Sequence, residues 1–377
     1  MREVPFLDAC DIQGGTQPPK STFKQEPSDN YIRLLQIRDF KSDDNPVYVP
    51  RASNLKTCDE SDIMIARYGA SIGRILQGKS GAYNVALVKT IPNDDLIDRR
   101  YLSHFLSSPK FQNYILGLGG RAAQAGFNKK DLERTTIPLP SLDEQKRIAA
   151  ILDRADALRR LRQRAIDRLD VLGKAWFDGH QKSLRGENTT LGEVCAKITD
   201  GTHQSPKWAT SGVPFLFVSN IRNQEIDFET EKFISEQTYD ELTRNTKVEP
   251  GDVLYTSVGS YGHAAVVPEG EKFLFQRHIA HLKPNPDLID SYYLMYLLES
   301  PSLRHQADVG ATGIAQKTVT LSLLKRMEAI IPPLSVQTEL VAKLNKITER
   351  KITYHRALSS FNELFASLQS RAFRGEL

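Results

Sequence analysis

The sequence predicts an α+β fold made twice: two globular domains, each followed by a long α-helix, with the two helices pairing as an antiparallel coiled coil in a pseudo-two-fold repeat. Three observations carry this expectation. Segments recur at a fixed separation of 192 residues, so that Pro140, Leu142 and Gln145 reappear as Pro332, Leu334 and Gln337. The identical run Asp95-Leu96-Ile97-Asp98 returns as Asp287-Leu288-Ile289-Asp290, and Ser108-Pro109 as Ser300-Pro301. Each copy then runs into an apolar stripe of helical period. Self-similarity at a long fixed period sets the domain count before any single motif does. The expected division is 1–140, a globular domain; 141–183, a central helix; 184–332, a second globular domain; and 333–377, a C-terminal helix.

Residues 1–140 alternate short apolar runs with turn residues. Strands are expected over 32–37, 62–66 and 82–88, and one helix over 99–116. Gly14-Gly15, Gln17-Pro18-Pro19 and the run from Gly69 to Gly73 punctuate them. Ser141 with Glu144 three residues on has the pattern of a capping box, and Pro138 and Pro140 block an earlier helix start. Ile148, Leu152, Ala155, Leu158, Leu161, Ala165, Leu169, Leu172 and Trp176 follow in steps of three and four. The helix is expected to run about 35 residues, or roughly 50 Å at 1.5 Å per residue. That length suits a coiled coil.

The second globular domain repeats the outline. Leu191–Cys195 leads to a polar loop, Thr199-Asp200-Gly201-Thr202-His203, and a strand is expected over 215–218. Gly251-Asp252-Val253-Leu254 runs into the loop Gly259-Ser260-Tyr261-Gly262-His263. Two polar loops also recur, Gly119-Gly120-Arg121-Ala122-Ala123-Gln124 and Gly310–Lys317. The last helix has a cleaner heptad: Leu340, Leu344, Ile347, Lys351, Tyr354, Leu358, Phe361, Phe365 and Leu368. Only Lys351 interrupts it, as a lone polar residue that fixes register would.

The bulk numbers agree with two packed cores: 377 residues, 40% hydrophobic and 25% charged. A formal charge of +4 permits a nucleic-acid partner without demanding one. Cys10, Cys58 and Cys195 are too scattered for a disulfide frame or a zinc site and suit a reducing compartment. With no long apolar run and no signal-peptide core after Met1, a cytoplasmic location is expected.

Catalytic signals are sparse. Gly73-Arg74-Ile75-Leu76-Gln77-Gly78-Lys79-Ser80 fits the phosphate-binding loop G-x-x-x-x-G-K-[ST] letter for letter. That mechanism needs a helix directly after the loop. Gly81–Val88 reads instead as a turn and a strand, so a hairpin is the better account. His278 and His281 fall on opposite faces of a strand-like run, which suits packing or surface polarity over a metal site. The H-E-x-x-H, Cys-x-x-Cys, G-x-S-x-G and dinucleotide patterns are absent, as is an Asn/Asp-Pro-Pro-aromatic run. The sequence indicates no catalysis, no metal and no cofactor of its own.

Taken in order, Ile137–Ile148 with its partial copy Ile331–Leu340, the loop Asp200-Gly201-Thr202-His203-Gln204-Ser205-Pro206, Gly251–Leu254 and the ending Arg371–Leu377 resemble the specificity subunit of type I restriction–modification systems. The resemblance spans the whole chain. It implies that each globular domain is a target recognition domain reading one half of a split DNA sequence, and that the helices set the gap between half-sites. It implies two modification (methyltransferase) subunits as partners, and restriction (translocase and nuclease) subunits beside them. S-adenosylmethionine, ATP and Mg would belong to those partners, and the chain itself would be a non-catalytic subunit.

On that footing, side chains suited to bases and phosphates on exposed loops become candidates. The first domain offers Thr16, Gln17, Lys20, Arg38, Tyr68, Ser71 and Arg74. The second offers Thr202, His203, Gln204, Lys207, Arg222, Ser260 and Tyr261. On the helices, Arg154, Arg159, Arg162 and Lys351 are candidates for partner docking. A coiled-coil scaffold with two protein-binding domains is the alternative, and steep salt dependence of binding would favour DNA over it.

Overall fold

The computed structural model describes residues 1–119, 126–244, 247–313 and 316–377. The chain forms two compact units: Met1–Gln163 with Arg356–Leu377, and Arg164–His355. The division falls inside the two long helices, not at their starts, so each unit owns a stretch of both.

In the first unit a four-stranded sheet takes the order Cys10–Gly14, Leu87–Pro92, Met64–Ala66, Ile75–Leu76. A second sheet takes the order Tyr48–Pro50, Tyr31–Leu35, Gly81–Tyr83, Thr57–Cys58, with one parallel contact, Leu34 opposite Ala82 and Leu35 opposite Tyr83. The other unit repeats the first sheet strand for strand: Cys195–Asp200, Ile279–Pro284, Val253–Thr256, Ala264–Val266. Its second sheet keeps the parallel contact, with Phe215 opposite Leu274 and Leu216 opposite Phe275.

The expected strands appear, with two corrections. The run 82–88 is two strands, Gly81–Tyr83 and Leu87–Pro92, because Asn84 makes a turn between them and its Oδ1 accepts from Ala86 N at 3.1 Å. The single helix expected over 99–116 is two, Arg99–Leu106 and Pro109–Gly119. Pro109 has no N–H to continue the first helix and is well placed to start the second. Asp98 caps the first through Arg100 N and Tyr101 N, and Asp290 caps its counterpart through Tyr293 N.

Gln145 and Gln337 explain the most persistent part of the repeat. Both are wholly buried. Gln145 Oε1 accepts from Asp98 N at 2.8 Å, and its Nε2 donates to Leu96 O at 2.9 Å and Pro140 O at 3.0 Å. Gln337 Oε1 accepts from Asp290 N at 2.8 Å, and its Nε2 donates to Leu288 O at 3.0 Å and Pro332 O at 2.8 Å. Each amide satisfies backbone groups that would otherwise be buried without partners, which fixes the start of a long helix to its domain.

The central helix is Leu142–Ser183, longer than its apolar stripe led one to expect, and the C-terminal helix is Leu334–Ala372, ending before the expected 377. Ser141 makes only half of the capping box: its Oγ accepts from Glu144 N at 3.4 Å, while Glu144 pairs with Arg147 at 2.7 Å. Within each unit the helical stretches run antiparallel. In the first, Arg147 meets the carbonyl of Leu377 and Arg159 meets Asn362. In the second, Asp170 meets Lys351 and the Gly173 backbone lies beside Ile347.

The central-helix stripe needs correcting in its middle. Leu158, Leu161 and Leu172 are about half exposed, at 48%, 55% and 55%, whereas Ile166 and Phe177 are buried. A strict step of 3.5 drifts from the 3.6-residue turn over many turns, so the buried face moves by a position. In the C-terminal helix the expected seam stays on the packed face. Among the described residues no helix is long and apolar enough to cross a membrane.

Candidate nucleic-acid interface

The polar loop of each unit leaves the first strand of its sheet through the same backbone frame. Gly15 N donates to Leu87 O at 3.1 Å and Thr16 N to Tyr83 O at 3.0 Å. In the other unit Gly201 N donates to Ile279 O at 3.2 Å and Thr202 N to Phe275 O at 3.1 Å. Carbonyls pass so close that a Cβ at Gly15 would lie 2.1 Å from Asn84 O, and one at Gly201 2.3 Å from Phe275 O. Only glycine fits either place.

Beyond this frame the loops diverge. The Thr16 hydroxyl accepts from Lys56 N at 3.1 Å, so it ties the loop to its neighbour, while Gln17 and Lys20 are exposed. In the other unit Thr202 Oγ1 accepts from Gln204 N at 3.2 Å and shapes the turn. His203 stands 64% exposed with Nε2 at 2.8 Å from Asp200 Oδ2. That carboxylate orients the ring. Gln204 and Lys207 are exposed beside it.

The remaining sites differ in availability. Arg38 is exposed after the strand Tyr31–Leu35. Tyr68 is 37% exposed with the Arg67 guanidinium 4.9 Å from its ring centre, and Ser71 and Arg74 share its hairpin loop. Arg222 sits exposed on a two-residue hairpin whose tip, Asn223 and Gln224, has φ of 55° and 67°. Ser260 is exposed. Tyr261 is not: it is 7% exposed, its hydroxyl donates to Asp308 Oδ1 at 2.6 Å, and Arg304 covers its ring at 4.6 Å. Its place is in the core of the unit, where it anchors the Gly259–Gly262 loop. Gly120–Gln124, with Ile314 and Ala315 of the other recurring loop, lie outside the described residues.

Of the docking candidates, Arg154 is exposed. The other three hold the two helices together. Arg159 donates to Asn362 at 2.8 Å and lies 4.5 Å over Phe365; Arg162 faces the Phe361 ring; Lys351 pairs with Asp170. Long cationic stems over aromatic rings make good seam residues, which charge alone does not reveal.

The phosphate-loop lookalike is a strand–turn–strand. Ile75–Leu76 leads through Gly78, at φ 83°, to Gly81–Tyr83, and Lys79 is ion-paired with Asp43. His281 is buried, with Nε2 2.7 Å from Asp252 Oδ2. Burial alone would raise the Asp252 carboxyl, but hydrogen bonds from His281 and Lys283 outweigh it and hold it below its ordinary value. Among the described residues no cluster of His, Cys, Asp or Glu is arranged to hold a metal.

Two features beside the loops escaped sequence reasoning. In the first unit Gln17 and Lys20 share an open groove with Phe23, Leu34, Gln36 and Asn84. In the second, Trp208, 46% exposed, packs edge-on against Phe215 at 5.1 Å and beside Phe217 at 6.4 Å. Neither is marked by a sequence signal, because both arise where distant strands pair.

The family model for the type I restriction modification DNA specificity domain matches residues 3–170 and 186–360, one match per copy of the repeat. The chain belongs to that family. Its relatives include the EcoKI specificity subunit of Escherichia coli (strain K12), 24% identical over 94% of this chain and 86% of the relative. The MjaVIII specificity subunit of Methanocaldococcus jannaschii is 23% identical over 77% of this chain and 72% of the relative. Among solved structures, a chain from a study of complex assembly and conformational transition in the type I R-M system aligns with a TM-score of 0.59 at 19% identity, covering 100% of this chain and 98% of that one. The S subunit from M. genitalium aligns with a TM-score of 0.54 at 15% identity, covering 99% and 96%. These likenesses establish the specificity-subunit fold: two repeated domains and two long helices.

Proposed function

We propose that this chain reads a bipartite, asymmetric DNA sequence for a type I restriction–modification complex, one half-site per globular unit, and catalyses nothing itself. The observation that carries the reading is the pair of loops at Gly15 and Gly201. One backbone frame presents Gln17 in one unit and His203 in the other, as a duplicated reader of two different half-sites would. Lys20 and Lys207 supply phosphate contacts beside each reader. Arg38, Ser71, Arg74, Arg222 and Ser260 remain candidate contacts.

Modification and restriction subunits would dock on the helices and bring S-adenosylmethionine, ATP and Mg. Exposed Leu158 and Leu161, beside exposed Arg154, support that face of the central helix as the docking surface.

The test is to co-express the chain with a modification subunit and map methylated adenines in host DNA by single-molecule sequencing. A split motif with a fixed gap is expected. Gln17→Ala should relax one half-site and His203→Ala the other, each by about 1–3 kcal/mol of discrimination. Equal loss at both half-sites would count against the reading. An active methylase in a soluble complex with no split motif would leave a protein-binding scaffold.

A further inference from the structure

The two units can be superposed in register through their strands, and this exposes a difference beside the reading loops. Leu35 opposite Tyr83 corresponds to Leu216 opposite Phe275. Arg33 opposite Tyr48, with the bridge from Lys24 to Tyr48, corresponds to Pro214 and Ala209 opposite Phe233. It follows that Gln36 occupies the place of Phe217, Leu34 that of Phe215, and Phe23 that of Trp208. One position carries a carboxamide in a groove in the first unit and an aromatic ring in the second.

Resting on the half-site reading above, we infer that the two units recognise their half-sites by different chemistry. The first reads an adenine through the carboxamides of Gln17, Gln36 and Asn84 in the groove. The second reads a thymine methyl group through Trp208. A carboxamide offers one donor and one acceptor side by side, which matches N7 and the N6 amino group of adenine in the major groove. Gln17, Gln36 and Asn84 border a single groove, and Phe23 and Leu34 are its apolar walls. The Asn84 oxygen is held by Ala86 N, which turns its amino group into a fixed donor.

In the other unit the positions of Phe23, Leu34 and Gln36 are taken by Trp208, Phe215 and Phe217, three aromatic rings. Trp208 follows directly on the His203–Lys207 loop, its strand pairs with Phe233–Ile234, and Lys232 lies 5.5 Å from its ring centre. An exposed indole supported from behind by Phe215 and Phe217 is suited to an apolar contact. The thymine methyl is the apolar group that a base pair presents in the major groove. The two flanking cations, Lys207 and Lys232, suit the phosphates on either side.

The experiment uses the complex of this chain with its modification subunits and duplexes carrying the mapped motif. Gln17→Ala and His203→Ala first assign each half-site to a unit. Each adenine of the first half-site, other than the one methylated, is then replaced by 7-deazaadenine, which lacks the N7 acceptor. Each thymine of the second half-site is replaced by uracil, which lacks the methyl. At one adenine the replacement should slow methylation about tenfold or more, and Gln36→Ala should reduce that sensitivity to near unity. At one thymine the uracil duplex should be several-fold poorer, and Trp208→Ala should abolish the difference. Gln36→Phe, which writes the second unit's residue into the first, should relax the first half-site alone.

A first half-site insensitive to every 7-deazaadenine, or a sensitivity that Gln36→Ala leaves unchanged, overturns the carboxamide assignment. Uracil tolerated throughout the second half-site overturns the Trp208 assignment. Both readouts in the wild-type complex are independent of whether a variant folds. Failure of the half-site reading itself is a different result: no split motif would be mapped at the outset.

Discussion

The contacts around Gln145 and Gln337 are the same, whereas the loops carrying Gln17 and His203 share a Gly-Thr start and its backbone frame and then differ. Each buried amide satisfies one N–H and two carbonyls of its own unit, at matching positions and nearly matching distances. Any substitution there leaves buried polar groups without partners. At the loops, Gly15 and Gly201 are confined by neighbouring carbonyls and the Thr16 and Thr202 hydroxyls accept from Lys56 N and Gln204 N, but the side chains of Gln17 and His203 stand exposed beyond the frame. A duplicated fold thus keeps what its own interior requires and lets the edge that meets a ligand diverge.

The largest expected effect tests the shared part. Gln145→Leu and Gln337→Leu should each destabilise the chain by about 3 kcal/mol or more, because three backbone groups lose a buried partner. Urea unfolding of the full chain would measure both. A large loss at one position with none at the other would end the equivalence of the two anchors.

A second comparison contrasts buried and partly exposed ion pairs. Asp252 sits with His281 and Lys283 at side-chain exposures of 7%, 2% and 20%, whereas Asp62 faces Lys89 at 11% and 21%. Asp252→Ala should cost about 3 kcal/mol, and Asp62→Ala nearer ~1 kcal/mol. Because the folded-state Asp252 carboxyl titrates below its ordinary value, its stabilisation is full above about pH 4. It is lost as pH falls through the depressed folded value. Hydrogen-exchange protection of Val253–Thr256, taken relative to intrinsic exchange at each pH, should therefore fall in acid in the wild-type chain, and Asp252→Ala should flatten that dependence. A wild-type profile already flat down to pH 3 would show that the pairing contributes no acid-sensitive stability.

The smallest effect comes from the helix seam. Phe365 lies under Arg159 in the first unit, and the residue 192 positions earlier, Gly173, leaves a shallow cavity bordered by Leu169, Phe177, Leu344 and Ile347. A Cβ at Gly173 would lie 3.8 Å from Ile347, an ordinary contact. Gly173→Phe should stabilise the chain by about 1 kcal/mol through the helix backbone and added burial. That would raise Tm by about 2 °C. A lower Tm would mean the seam of the second unit is not open to the ring that the first unit holds.

Much of the frame was legible from the residues. The 192-residue separation located Gln145, Asp98 and their copies, and Pro138, Pro140 and Ser141 located the start of the central helix. Its buried stripe was read less well: Leu158, Leu161 and Leu172 fit the period yet face solvent, because period alone does not show which face meets a partner. Arg159, Arg162 and Lys351 were read by charge and turned out to hold the seam. Tyr261 was read by its loop and turned out to be core.

By itself the sequence determined the duplication, the alternation of globular domain and long helix, and the two glycine-framed loops, because these rest on local pattern and on residues repeated for backbone reasons. Tertiary structure alone decided that Gln36 and Asn84 join Gln17 at one groove, that Trp208 leans on Phe215 and Phe217, and that Tyr261 is buried against Asp308. Those groups lie tens of residues apart along the chain. Their convergence depends on strand register and on which strands run parallel, and long-range pairing of that kind leaves no periodic trace in the sequence.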